Sequence, residues 1–151
     1  MKNNYLFNMS DVPYGWPMCF NNECAKKNEC LRYCVGEKAL DLEPAAHETG
    51  ICVTPAAYRD GECRKFFSIK TERVAWGFSH IYDKVLKIHY SEIKAEIKQY
   101  VHGGTNYYRY ANGQKKLNEH QQQWIADLFS KYGYTDPVEF DHYEDKVTFQ
   151  P

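Results

Sequence analysis

The sequence predicts a small α+β domain in which an irregular, cysteine-rich N-terminal segment packs on a helical half containing one β-hairpin. Three observations predict it. Pro13, Gly15, Pro17, Gly36, Pro44, Gly50, Pro55 and Gly61 interrupt most periodic runs before Cys63, so this stretch cannot be one long helix. All six cysteines fall between Cys19 and Cys63, and none follows. Beyond Cys63 apolar residues recur at helical spacing, with one Asn-Gly dipeptide between two short runs. A chain of 151 residues fits one core, so residues 1–151 are read as a single domain with a cysteine-rich segment over 1–67 and helices plus hairpin over 68–151.

In the first segment the pattern supports only a short helix over 25–35 and an extended piece over 51–54. Val74, Phe78, Ile81 and Val85 then recur at helical spacing behind Thr71, an N-cap residue type, which predicts a helix over 71–87. After a break at 87–90, Ser91 caps a second helix over 92–102, with Ile93, Ile97 and Val101 on one side and Gly103 or Gly104 as its left-handed exit. A strand competes here, because Glu92, Lys94, Glu96 and Lys98 alternate with Ile93, Ala95 and Ile97. The cap, the glycines and the strong helix formers decide for the helix. Asn112-Gly113 suits a tight type I′ turn and predicts a hairpin over 106–117. Asn118 and Gln121 have capping-box spacing and open a third helix, whose stripe of Trp124, Ile125, Leu128, Phe129 and Tyr132 turns the Trp124 ring inward before Gly133 ends it. Asp136-Pro137 predicts one more short helical turn, and residues 147–149 an edge strand.

Composition narrows the function classes. With 43% hydrophobic and 26% charged residues the chain is globular in type, and its net charge of -1 supplies no field to attract a polyanion. The N-terminus MKNNYLFNMSDVPYGW lacks the basic start and apolar run of an export signal, and no membrane-spanning apolar stretch occurs, so a cytoplasmic location is expected. No Gly-rich phosphate loop, G-x-S-x-G elbow or H-E-x-x-H pair is present. Asp136, Glu139, Asp141, Glu144 and Asp145 lack the ligand spacing of a calcium loop and read as solubilising charges.

The cysteines carry the chemistry. They run C-x4-C-x5-C-x3-C through Cys19, Cys24, Cys30 and Cys34, with Cys52 and Cys63 further on. Closely spaced thiols in a reducing compartment point to metal more than to disulfides. Two loop cysteines a few residues apart can both reach one zinc ion, which describes Cys19 and Cys24; Cys30 and Cys34, one helical turn apart, can face the same ion. The alternatives are buried apolar thiols, which fits Cys52 between Ile51 and Val53 best, or an iron–sulfur or thiol redox centre. C-x5-C-x3-C is similar to part of the auxiliary-cluster region of certain radical enzymes, but their C-x3-C-x2-C run is missing here. The nearest histidine, His47, reads as a solvated loop residue, so a catalytic zinc has no support.

The stretches CFNNEC, CLR, ECRKFF, YYRYANGQKKL, EHQQQWI and EFDHY together resemble an uncharacterised family of unknown function found in gut-dwelling anaerobic bacteria. The resemblance brings no activity with it. It implies a ligand choice, since Cys19, Cys24, Cys30 and Cys63 match its recurring cysteines while Cys34 and Cys52 lie outside them. The function expected is a non-catalytic module that carries a structural zinc and binds a protein partner. A nucleic-acid-binding module is the alternative: Tyr107, Tyr108, Arg109 and Tyr110 with Lys115 and Lys116 on the hairpin could stack bases and hold phosphates. An ordinary core role for those tyrosines competes with it.

Overall fold

The computed structural model describes residues 7–151; residues 1–6, on which the reading of the N-terminus partly rests, lie outside them. The fold is α+β. Its helices are α1 (Leu31–Leu42), α2 (Lys87–Tyr100), α3 (Gly104–Asn112) and α4 (Glu119–Lys131), and its strands β1 (Tyr58–Arg59), β2 (Glu62–Cys63), β3 (Thr71–Trp76) and β4 (His142–Val147) pair as β1–β2 and β3–β4. The chain forms two compact units, one of Met1–Thr71 with Val147–Pro151 and one of Glu72–Lys146. No helix among the described residues is long and apolar enough to cross a membrane.

The first unit is built around α1, which starts six residues later than the predicted 25–35 segment because Lys27–Glu29 is a 3-10 turn and Cys30 is the N-cap. Leu31 and Val35 are fully buried and pack with Trp16, Phe67 and Phe149. Trp16 meets the rings of Phe67 and Phe149 edge-on, at 5.5 and 5.2 Å. Arg32 ties three segments together. Its Nε donates to Lys65 O at 2.9 Å, its Nη1 to Pro17 O at 3.1 Å, and its guanidinium lies 4.6 Å from the Trp16 ring centroid. Gly36 is required on α1, because a Cβ there would stand 2.3 Å from Cys19 O. Residues 51–54 are extended as predicted, with Met18 pairing to Cys52 in a parallel bridge.

The hairpin occurs in this unit and not over 106–117. β1 and β2 pair Tyr58 with Cys63 and Arg59 with Glu62, and Asp60 and Gly61 turn between them at φ 54° and 79°. Two successive positive φ values are what a type I′ turn demands, and Asp-Gly supplies them as readily as Asn-Gly. Asn112-Gly113 instead ends α3, with Gly113 as a left-handed C-cap at φ 85°. A Cβ on Gly113 would meet Trp76 Nε1 at 2.7 Å, so contact with Trp76 also demands the glycine.

In the second unit, residues 71–87 are not a helix. Thr71–Trp76 is β3, and Ala75 exchanges both backbone hydrogen bonds with Leu117 at 3.0 and 2.8 Å. Gly77, at φ 89°, lies so close to the Asp141 side chain that a Cβ would approach it to 2.6 Å. Val74, Phe78 and Ile81 are buried as their spacing suggests, but from a strand and the turns after it. α2 is a helix, as preferred over the strand, with Ile93, Ile97 and Val101 buried; it begins at Lys87, so Ser91 lies inside it. His102, at φ 67°, and Gly103, at φ 123°, make its exit. α4 follows its sequence signals closely: Gln121 N donates to Asn118 Oδ1 at 2.8 Å, Asn118 N to Gln121 Oε1 at 2.9 Å, and Gly133 turns out at φ 93°. Ile125, Leu128 and Phe129 are buried, whereas Trp124 is half-buried and stacks on Tyr100 with ring centroids 3.8 Å apart. Asp136-Pro137 forms no helical turn, and β4 ends at Val147 rather than spanning 147–149. Two of the acidic residues read as solubilising are tied into the fold, because Asp141 Oδ2 accepts from Ser79 N at 3.1 Å and Glu144 pairs with Lys116 and Lys146.

Candidate functional site

The four cysteines singled out by resemblance come from four separate pieces of the first unit. Cys19 lies in the strand-like segment after Pro17, where its N–H donates to Arg32 O at 3.0 Å. Cys24 sits in a chain of turns, with its N–H on Asn21 O and its carbonyl accepting from Lys27 N. Cys30 is the N-cap of α1 and bridges to Ser68. Cys63 closes β2 opposite Tyr58. All four line one cavity of about 280 Å³. Cys30 is buried, and the other three are half-exposed.

The two cysteines left out of the choice are elsewhere. Cys34 is a fully buried residue of α1, with Sγ 3.9 Å from Lys27 O. Cys52, expected to be interior, is exposed and lines a neighbouring cavity with Arg59, Arg64 and Lys65, while its neighbours Ile51 and Val53 bond to the backbone of Met18. None of the six cysteines is joined in a disulfide. Among the described residues no three His, Cys, Asp or Glu side chains already stand together as a ligand set for a metal ion.

The rest of the lining is largely cationic and aromatic. Lys26, Lys27, Arg32 and Lys65 stand around the cavity with a single carboxylate, Glu62, and Tyr33, Tyr58 and Phe66 supply aromatic wall. Their signal was present in the motifs CAKK and CRKFF, which place lysines shortly after Cys24 and after Cys63. The turn carrying Cys24 is held by its polar side chains: Lys27 Nζ donates to Asn22 O at 3.0 Å, and Tyr33 OH donates to Asn22 Oδ1 at 2.6 Å. Burial, reinforced by Glu37, Cys34 and Cys19, pushes the Tyr33 phenol up, so it remains a donor to Asn22 at neutral pH.

The residues assigned to a nucleic-acid hairpin lie on or after α3. Tyr107 is buried against Phe78 and shares a 2.8 Å hydrogen bond with Tyr82, which places it in the apolar core of the second unit. Lys116 pairs with Glu144 and lies over the Trp76 ring, and Lys115 donates to Asn106. The interleaved ladder of rings and cations that base stacking needs is therefore not formed on a strand ribbon.

No curated protein and no solved structure matches the chain. The model of a family of unknown function, DUF6078, matches residues 1–149, and the chain belongs to that family.

Proposed function

We propose that the protein is a non-catalytic cytoplasmic module whose first unit is held by one structural zinc ion at Cys19, Cys24, Cys30 and Cys63, and that it binds a protein partner. The observation that supports this reading is that those four cysteines, from four separate segments, line one cavity. Four thiolates around Zn²⁺ bear a net charge of about -2, opposite in sign to the lysines and arginine of the lining. Because the thiols are not preassembled, the ion would draw the turn of Cys24 and the β1–β2 hairpin inward, so binding and tightening of this unit are one event. Exposed Tyr14, Leu42, Ile51 and Tyr58 on the same unit offer apolar contact area to a partner. The test is elemental analysis of protein purified under reducing conditions without chelator. About one equivalent of zinc is expected. Protein free of metal contradicts the reading, and a brown, iron-containing protein replaces it with the iron–sulfur alternative.

A further inference from the structure

Charge is unevenly distributed around the thiol cavity. Its lining has four cations, Lys26, Lys27, Arg32 and Lys65, against one carboxylate, Glu62. Arg32 and Lys27 are committed to backbone carbonyls, which fixes their charges at the wall. Lys26 and Lys65 are exposed at its mouth, with the Lys26 ammonium 5.1 Å from the Phe66 ring centroid. Cys30 adds the positive end of α1, a twelve-residue helix. Cys19, Cys24 and Cys63 are half-exposed and line the cavity, on the side from which a small molecule would enter it. An entering anion is attracted by this lining and an entering cation repelled, an effect that salt screens.

We infer that the metal-free cavity is a modification site for small anionic disulfides, which form mixed disulfides with its half-exposed thiols. The inference rests on the four cysteines acting as one site, as in the proposed function, but not on the metal being bound. In the reaction the cysteine sulfur, its proton released to solvent, attacks one sulfur of the reagent. A protein–reagent S–S bond forms, the reagent's own S–S bond breaks, and the other half leaves as a thiolate with the bonding electron pair. The cysteine is oxidised and the departing half reduced, so no further oxidant is needed.

The test compares two reagents of matched length and opposite charge, dithiodipropionate and cystamine, on metal-free Cys52→Ser protein. That background removes the exposed thiol beside Arg59 and Arg64, which would report a different cavity. Rates are normalised to a small neutral thiol, and adducts are mapped by mass spectrometry. The expected result is adducts on Cys19, Cys24 or Cys63, a normalised preference of about tenfold for the anionic reagent at low salt, and loss of that preference in Lys26→Glu/Lys65→Glu. The milder Lys26→Gln/Lys65→Gln pair should fall between, which guards against a folding defect in the charge-reversed protein. Equal normalised rates, a preference unmoved by either pair, or adducts absent from these cysteines overturns the inference. Zinc content is read separately, so a zinc-free protein that keeps the anionic preference refutes only the metal, and a zinc-loaded one whose stripped form shows no preference refutes only this inference.

Discussion

The two units are held together in different ways. The second has a broad apolar interior to which every one of its helices contributes: Ile93 and Ile97 from α2, Tyr107 from α3, Ile125, Leu128 and Phe129 from α4, with Ala75, Phe78, Leu117 and Phe140 between them. The first has, among the described residues, a small buried cluster of Phe7, Leu31, Val35 and Val147, edged by aromatic rings and crossed by the Arg32 clamp. Much of the first unit is irregular backbone joined by isolated bridges. A unit with so little apolar interior gains most from a cross-link that ties distant segments, and the thiol cavity is where such a link would act. The second unit needs none.

That contrast can be tested from the largest effect downward. Ile97→Ala empties a fully buried position of the second unit and should cost about 3 kcal/mol in chemical denaturation. The loss should be read by Trp76 and Trp124 fluorescence, and little change in Trp16, the tryptophan of the first unit, would confirm that the two interiors are separate. Arg32→Ala removes two hydrogen bonds and the stack on Trp16 and should cost the first unit about 2 kcal/mol, seen as a shifted Trp16 transition. An unmoved transition would mean that the apolar cluster alone suffices. Trp124→Ala should cost about 1.5 kcal/mol, less than a fully buried ring, because what it loses is half-buried stacking on Tyr100. A melting temperature equal to that of the parent would show that the stack adds nothing. Asn118→Ala breaks the capping box of α4 and should cost about 1 kcal/mol, with Asn118→Asp restoring most of it by urea denaturation.

Legibility in the sequence divides along local and distant causes. α4 was readable because its box, stripe and terminal glycine lie within one element. α2 was readable as a helix, since Ile93, Ile97 and Val101 mark its buried face, although it starts five residues earlier than Ser91 suggests, behind Leu86, which offers no capping side chain. β3 was not readable, because the spacing of Val74, Phe78 and Ile81 imitates a helix and the strand it pairs with, β4, begins more than sixty residues on. Asn112-Gly113 was misread for a chemical reason: a left-handed glycine ends a helix as well as it turns a hairpin, and nothing nearby says which. The hairpin at Asp60-Gly61 carried the same kind of signal but its two-residue strands leave no alternation to notice. For the site, the choice of Cys63 over Cys34 came from resemblance, and the cavity groups Cys63 with Cys19, Cys24 and Cys30. Its cationic lining could have been read from the lysines that follow Cys24 and Cys63.

The central claim is that a metal at the thiol cavity holds the first unit, and the most direct measurement is metal content with limited proteolysis across the six single Cys→Ser variants. Wild type, Cys34→Ser and Cys52→Ser should carry about one equivalent of zinc and resist cleavage in the turns around Cys24, while substitution of Cys19, Cys24, Cys30 or Cys63 should lose the ion and open those turns with the second unit intact. Equal behaviour of all six variants, or metal lost with Cys34→Ser but kept with Cys63→Ser, would contradict it.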